Sequence, residues 1–154
     1  MRLQIPYYRQ SHPFSCGAAC SRMLLAFFGI QKSEKAIMTA MGTNERRGTA
    51  RGSFTAMFRR AGLKCRAYTK ATMRDLRASL ERGMPALLLI FDPTGDKWGH
   101  YAVAVGLERG RVLMHDPANG KYFGLSQKEL SKRWLGFRTR SKDGGWMLTM
   151  RKGK

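Results

Sequence analysis

The stretch that decides the fold runs from Gln10 to Cys20 and reads QSHPFSCGAAC. The chain continues as SRMLLAFFG, so apolar residues occupy most positions from Cys16 to Phe28, and Gly29 follows directly. Glycine often ends a helix, because it adopts the left-handed backbone conformation without strain. The pattern therefore predicts a buried helix over this segment, with Cys16 in its first turn.

Cys16 has three candidate roles on this stretch alone. Burial as an inert thiol is the usual fate of a cysteine in an apolar helix. A metal site is suggested by His12, Cys16 and Cys20 at i, i+4 and i+8, but Pro13 disfavours a continuous helix and no fourth ligand is evident. The third role is that of a nucleophile, because a helix N-terminus favours the reactive thiolate.

The residues around Cys16 bear on that third role. We expect Gly17 and Ala18 to leave the thiol open to a substrate carbonyl, and Cys20, one turn later, to lie in the core. Cys65 lies in a basic strand and receives no role. Three cysteines are an odd number, which argues against a disulfide framework and for reduced thiols.

The bulk composition indicates one globular domain over residues 1–154. Hydrophobic residues make up 43% of the chain and charged residues 25%. The longest apolar run, Met84 to Phe91, contains Pro85 and is far shorter than the roughly 20 residues that a membrane helix needs. The N-terminus, MRLQIPYYRQ, lacks the apolar core of a signal peptide, so we expect a cytoplasmic protein without a membrane span.

The charge is the unusual feature of the composition. Lysine and arginine total 29 against 10 acidic residues, which gives a net charge of +19. Such a surface attracts polyanions, among them nucleic acid, anionic lipid headgroups and acidic peptides. The alternative is that the charge serves solubility alone, because net charge informs on association rather than on fold.

Helix patterns dominate the first half of the chain and strand patterns the second. The predicted helices cover residues 16–28, 33–41, 53–61, 72–82 and 126–135, with Ser33, Thr72 and Ser126 as caps. The predicted strands cover residues 63–69, 86–91, 100–107, 111–116 and 146–150, and residues 43–52 form a polar loop. This arrangement predicts an α+β fold with one helix inserted late.

A nucleophilic Cys16 needs an imidazole partner, and His100 is the best placed. His100 opens the strand HYAVAVG, and Asp116 ends the strand RVLMHD sixteen residues later. A hairpin between the two strands, turning at Arg109-Gly110, would bring His100 and Asp116 together at one end. Asp116 could then orient the ring, although an aspartate before proline can also simply begin a turn.

His115 and Gln10 are two further candidates for a role beside Cys16. His115 alternates to the face opposite Asp116 and is a poorer partner for Cys16. Gln10 supplies an amide donor upstream of Cys16, suited to hold a developing oxyanion together with backbone N–H groups, or it is a plain surface amide.

Three motifs, QSHPFSCGAAC, GHYAVAVG and VLMHDPANG, resemble those of the C39 and C39-like cysteine peptidases, which process bacteriocin and lanthipeptide precursors. The resemblance covers most of the chain and implies a papain-like fold. Its N-terminal helical half would carry the cysteine at a helix N-terminus, and a C-terminal antiparallel sheet would carry the histidine and aspartate.

The resemblance also implies a role for each matching residue. Cys16 would be the nucleophile, His100 the general base and then acid, Asp116 the orienting residue and Gln10 the oxyanion-hole donor. Family members cut a precursor after a Gly-Gly pair at the end of its leader peptide, and many are part of an ABC transporter. Ser15 departs from the acidic residue that many transporter-borne members have before the cysteine, which bears on cleavage specificity. No metal or organic cofactor is implied.

Substrate contacts are predicted at Trp98, which could line the cleft beside His100, and at Arg59 and Arg60, which could dock an acidic leader. The alternatives are packing for Trp98 and Trp134, and plain solvation for the arginines. Two rival functions stay open. One is a transpeptidase or acyl transferase on the same scaffold, and the other is a non-catalytic basic module that binds peptide or nucleic acid.

Overall fold

The structure is a computed structural model and describes residues 1–91, 99–135 and 145–153. Within these ranges the chain forms helices and strands in the order that the sequence predicts, with one additional strand. The helices are α1 Cys16–Phe27, α2 Glu34–Met41, α3 Arg51–Arg60, α4 Met73–Glu81 and α5 Gln127–Arg133. The strands are β1 Leu63–Ala71, β2 Ala86–Ile90, β3 His100–Glu108, β4 Arg111–Asp116, β5 Gly120–Ser126 and β6 Gly145–Lys152.

All six strands pair antiparallel in one sheet, in the order β1-β6-β2-β3-β4-β5. The central strand β2 is buried on both faces, because Leu87 and Leu89 pack into one apolar cluster and Leu88 and Ile90 into another. The first cluster includes residues of α1, α2 and α3, and the second includes residues of α4 and α5. Helices therefore cover both faces of the sheet, and the predicted α+β fold is confirmed.

The predicted helix caps are observed. Ser33 accepts a hydrogen bond from the backbone N–H of Ala36, and Gly42 ends α2 in the left-handed conformation. Thr72 and Asp75 form a reciprocal capping box at the start of α4. The third helix begins at Arg51, two residues earlier than predicted.

Strand β5 was not predicted. It begins at Gly120, has Gly124 in its interior, and contains Tyr122 with a φ of 50°. Glycines and a left-handed residue are untypical of strands, so no local pattern indicated one here. Pairing with β4 holds the segment in place, with Met114 opposite Phe123.

The β3–β4 hairpin turns where the sequence predicts it. Arg109 and Gly110 have φ values of 52° and 74°, as a tight two-residue hairpin turn of the primed type requires. The register sets Glu108 opposite Arg111 and Val103 opposite His115. The end of β4 consequently returns to the end of the sheet at which β3 begins.

The sheet opens between β2 and β6 at that same end, and residues 134–135 fill the gap. The backbone N–H of Leu135 donates to Leu89, and that of Trp146 donates to Leu135. Trp134 is 5% exposed and its indole N–H donates to the carbonyl of Trp146, so its predicted packing role is confirmed. Gly145 is required here, because a Cβ at this position would collide with the ring of Trp134.

We predict that Gly145→Ala destabilises the protein by about 1–3 kcal/mol, the usual range for an overpacked core position. Gly52→Ala is the matched control, because Gly52 is a helical residue with open space around the added methyl. It should be neutral or stabilise by up to about 1 kcal/mol. Chemical denaturation measures both variants, and equal stabilities for the two would contradict the tight packing of Trp134 on Gly145.

Candidate active site

Cys16 is the first residue of α1 and is partly exposed. One turn later, Cys20 is fully buried, as predicted, and its thiol donates to the carbonyl of Tyr101 at 3.4 Å. Tyr101 follows His100 in β3, so this contact fixes the start of α1 against the start of β3. Burial raises the pKa of Cys20 well above its usual value, so that thiol stays protonated.

Gly17 and Ala18, which were expected to leave the thiol open to a substrate, both pack into the protein interior. Gly17 is buried, and a Cβ there would lie 2.9 Å from both Phe54 and Thr49. Ala18 is completely buried as well. The small side chains let α3 and the preceding loop approach α1 closely, which is a packing requirement that the local sequence did not reveal.

His100 forms the central contact of the site. Its Nε2 lies 2.6 Å from Oδ1 of Asp116, and the two residues are 8% and 0% exposed. The Cys16 thiol acts on the same ring, since it is one of the groups that raise the pKa of His100. Because Nε2 faces the carboxylate, Nδ1 is the ring nitrogen left for the thiol. The predicted hairpin therefore does bring His100 and Asp116 together.

Asp116 contacts His100 and also stabilises the turn that follows β4. Its Oδ1 accepts from the backbone N–H groups of Ala118 and Asn119 at 2.8 and 3.2 Å, and its Oδ2 accepts from the side-chain amide of Asn119 at 3.0 Å. The two alternatives for this residue are thus compatible. Asn119 was missed by the sequence reasoning, although it stands in the quoted motif VLMHDPANG, three residues after the aspartate.

The electrostatics of the pair favour its charged form. Burial alone would lower the pKa of His100, but hydrogen bonds to Asp116 and Cys16 outweigh it and raise that pKa to about 10. Burial would raise the pKa of Asp116, but its hydrogen bond and charge interaction with His100, together with the bonds from Asn119 and Ala118, lower it. An imidazolium next to a carboxylate is therefore the state near neutral pH.

His115 lies outside this cluster, as predicted. Its Nε2 donates to the carbonyl of Ile5 at 2.9 Å, and its Nδ1 accepts from the backbone N–H of Tyr122 at 3.1 Å. Burial lowers its pKa. With one nitrogen donating and the other accepting, the ring is the neutral tautomer that ties the N-terminal segment to β5.

Gln10 reaches the same end of the sheet through the N-terminal segment. The hydroxyl of Tyr7 donates to the carbonyl of Asp116 at 2.7 Å, and the backbone N–H of Gln10 donates to the carbonyl of Pro117 at 2.9 Å. The side-chain amide N–H of Gln10 donates to the carbonyl of His12 at 2.8 Å. The same amide nitrogen also donates to the carbonyl of Pro13 at 3.4 Å, so the Gln10 amide faces the loop before Cys16.

A cleft of about 580 Å³ begins at the loop before Cys16. It is lined by Ser11 and His12 of that loop and by Glu34, Met38 and Thr43 on the side of α2. His12 accepts hydrogen bonds from Ser15, one residue before Cys16. The cleft therefore lies between the loop that leads into α1 and the side of α2, and Cys16 is not among the residues that line it.

The other predicted contact residues do not join this cluster. Arg59 and Arg60 are exposed at the end of α3, where the charge of Arg59 acts on Cys65 of β1. Trp98 lies outside the described residues. In the part of the chain that the structure describes, no group of three or more His, Cys, Asp or Glu side chains could hold a metal ion.

The family model of the Peptidase C39 family matches residues 4–139. The chain belongs to the Peptidase C39 family. This is a family of cysteine peptidases, and the papain-like α+β fold implied by the motifs is confirmed. Within the described residues, no helix is long and apolar enough to cross a membrane.

The C39 chain is 28% identical over 137 residues to the Escherichia coli protein named probable microcin-H47 secretion/processing ATP-binding protein MchF. That match covers 88% of this chain but 18% of the relative, so the chain spans less than a fifth of the length of the curated relatives it matches.

Two solved structures show the same C39 fold. One is a double glycine motif protease from an AMS/PCAT transporter in complex with the leader peptide, with a TM-score of 0.75, 19% identity, and coverage of 98% of this chain and 94% of that one. The other is the peptidase domain of Streptococcus ComA, a bi-functional ABC transporter, with a TM-score of 0.78, 19% identity, and coverage of 94% and 96%.

The opposite pKa shifts of two histidines in this C39 chain give a prediction. In an NMR titration, His100 should stay protonated well above pH 6.5, its usual pKa, whereas His115 should already be neutral at pH 6.5. Asp116→Asn should move the pKa of His100 down, because the carboxylate that favours the imidazolium is lost. Asp75→Asn, which removes a carboxylate in the α4 cap, is the control and should leave it unchanged.

The same pair makes the stability of the protein depend on pH. The raised pKa of His100 gives stability that is complete below about pH 6.5 and is lost as the pH rises through about 10. The lowered pKa of Asp116 gives stability that is present above pH 3.8 and is lost on further acidification. Both contributions are complete between about pH 3.8 and 6.5, so the destabilisation by Asp116→Asn should be largest in that range. A titration of wild-type His100 near pH 6.5 would contradict the account.

Proposed function

We propose that this chain is a cysteine endopeptidase that cleaves a precursor peptide after small residues, at a Gly-Gly pair at the end of its leader. The observation that supports it most is the buried His100–Asp116 pair at 2.6 Å, which keeps the imidazole charged and whose His100 pKa is also raised by the partly exposed thiol of Cys16. A thiol beside an imidazolium at a helix N-terminus is the arrangement that yields a thiolate nucleophile at neutral pH.

In the first half of the reaction the Cys16 sulfur attacks the scissile carbonyl carbon. The electron pair of the carbonyl moves to its oxygen, and in this proposal Gln10 and the backbone N–H at the start of α1 stabilise that oxyanion. His100 then gives its proton to the leaving amine as the C–N bond breaks. The products of this half are a thioester on Cys16 and a free peptide with a new amino terminus.

In the second half water hydrolyses the thioester. His100, now neutral, takes a proton from the water as its oxygen attacks the acyl carbon, and the thiolate of Cys16 leaves. Asp116 keeps the ring oriented in both halves and stabilises its charged form. The peptide released from Cys16 carries a new carboxylate.

The substrate class rests on the relatives. MchF is named as a secretion/processing protein, and one structural neighbour is a double glycine motif protease bound to a leader peptide. We accordingly extend leader processing, a cytoplasmic location and an ABC transporter partner to this chain, with residues 1–154 as one peptidase domain. Trp98 is proposed as a substrate contact beside His100, and Arg59 and Arg60 as contacts to the leader.

Two other functions use the same features. A transpeptidase would form the same thioester and transfer it to an amine in place of water. A binding module for peptide or nucleic acid would use the charge of +19 without turnover. The His100–Asp116 pair, held by the Asn119 turn, favours catalysis over binding alone, because a pure binding surface needs no buried ion pair.

The test is incubation of the protein with a panel of Gly-Gly leader peptides, with the products identified by mass. We expect cleavage after the glycine pair with the gain of one water, and a loss of at least about 10³-fold in kcat for Cys16→Ala. Cys65→Ala is the matched control, because Cys65 is a second thiol outside the site, and it should retain full activity.

Other product masses separate the alternatives. Incorporation of an added amine in place of water identifies a transferase. Absence of any cleavage by the folded protein, or full activity of Cys16→Ala, would overturn the proposed peptidase chemistry.

A further inference from the structure

Three adjacent elements at one edge of the sheet contain no acidic residue. These are α3, the edge strand β1 and its neighbour β6. Their exposed charged side chains form a surface that we name the cationic edge, made of Arg59, Arg60, Lys64, Arg66, Lys70, Arg151 and Lys152. Among the described residues, none of these seven forms an ion pair.

The strands of the cationic edge bring some of these charges together. Lys64 stands opposite Arg151, and Leu63 stands opposite Lys152. The guanidinium of Arg66 lies 4.6 Å from the centre of the Tyr68 ring. So many unneutralised cations repel one another, and an anionic partner would relieve that repulsion.

The backbone of β1 is also unsatisfied on its outer side. Over residues 1–91, 99–135 and 145–153, β1 pairs only with β6, and no further backbone hydrogen bond is made along it. Alternate N–H and C=O groups of an edge strand point away from the sheet and can pair with an added strand. A peptide can use both this row of groups and the charges, whereas lipid headgroups and nucleic acid can use only the charges.

The end of β1 lies in line with the active site. Ala71 is opposite Gly145, while Ile90 is opposite both His100 and Trp134. Moving from Ala71 to His100 therefore crosses β6, residues 134–135 and β2, or roughly 19 Å at about 4.8 Å for each step. A strand added outside β1 lies one step farther, at about 24 Å from His100, and about seven extended residues span that distance.

We infer that the outer edge of β1 docks an extended acidic segment of the precursor substrate as an additional strand, with the segment at least about seven residues from the scissile bond. This rests on the proposed peptidase function and adds a docking site to it. The backbone pairing supplies affinity, and the cationic edge selects acidic sequence.

The experiment uses two synthetic substrates that share one cleavage sequence. One carries an Asp/Glu-rich segment beyond the seventh residue upstream, and the other carries Asn/Gln at those positions. We expect the acidic peptide to have a KM about tenfold lower. In Lys64→Glu/Arg66→Glu the ratio of the two KM values should fall to about one.

The matched control is Lys128→Glu/Lys132→Glu on α5, which makes the same charge change on exposed lysines away from β1. It should keep the tenfold ratio of KM values. Circular dichroism and thermal unfolding confirm that both double variants are folded.

A second peptide tests the strand itself. N-methylation at alternate residues of the acidic segment keeps its charge but removes the N–H groups that an added strand donates. We expect this peptide to lose the gain in KM. Equal KM values for the acidic and neutral peptides, or an undiminished gain after N-methylation, would overturn the inference.

Binding without turnover separates this inference from the proposed function. Fluorescence anisotropy of the labelled acidic peptide with Cys16→Ala measures docking even if no peptide is cleaved. Docking without cleavage would overturn only the peptidase chemistry. A duplex oligonucleotide or phosphatidylserine vesicle that binds through Lys64 and Arg66, while the acidic peptide does not bind, would overturn the docking of a peptide.

Discussion

The buried contact between His100 and Asp116 is the interaction on which the rest of the site depends. A histidine that is 8% exposed holds a proton with a pKa of about 10 because a carboxylate lies 2.6 Å away and the Cys16 thiol adds to its effect. That carboxylate stays ionised only because Asn119, Ala118 and the imidazolium donate to it. Removing either partner leaves the other buried without its counter-charge, which is costly in a protein interior.

Several parts of the fold serve to make this contact. The tight turn at Arg109-Gly110 returns β4 to the start of β3, and residues 118–119 fix the carboxylate rotamer. The buried Cys20 thiol on Tyr101 sets α1 against β3 one turn from Cys16. The neutral His115 and Tyr7 tie the N-terminal segment to β4 and β5 and so place Gln10. Cys16, His100 and Gln10 thus come from three segments held against one strand end.

The sequence predicted the features that depend on local pattern. The helix at Cys16, the caps at Ser33 and Thr72, and the hairpin between β3 and β4 each follow from a few neighbouring residues, and that hairpin implied the pairing of His100 with Asp116. The roles carried over from the C39 motifs stay proposals. The features that the sequence did not predict depend on contacts between residues that are far apart in the chain. Strand β5 forms only because β4 is beside it, and Gly17 is small because Phe54 packs on it.

The sequence also did not predict that residues 134–135 insert between β2 and β6, because this insertion depends on backbone hydrogen bonds to both strands. The same holds for the cationic edge. Single arginines in the sequence resemble ordinary solvated residues, and only the topology shows that they border an unpaired strand whose end lies roughly 19 Å from His100. The net charge alone predicts an anionic partner of any class. The unpaired edge of β1 favours a peptide among such partners.

The most direct test of the central claim is the rate at which Cys16 reacts with iodoacetamide near pH 7. If the His100–Asp116 pair supplies a counter-charge to the thiol, Cys16 should react at least about tenfold faster than Cys65, whose pKa is raised by burial. In His100→Gln the rate at Cys16 should fall to that of Cys65. Equal rates for the two thiols in the wild-type protein would contradict the account.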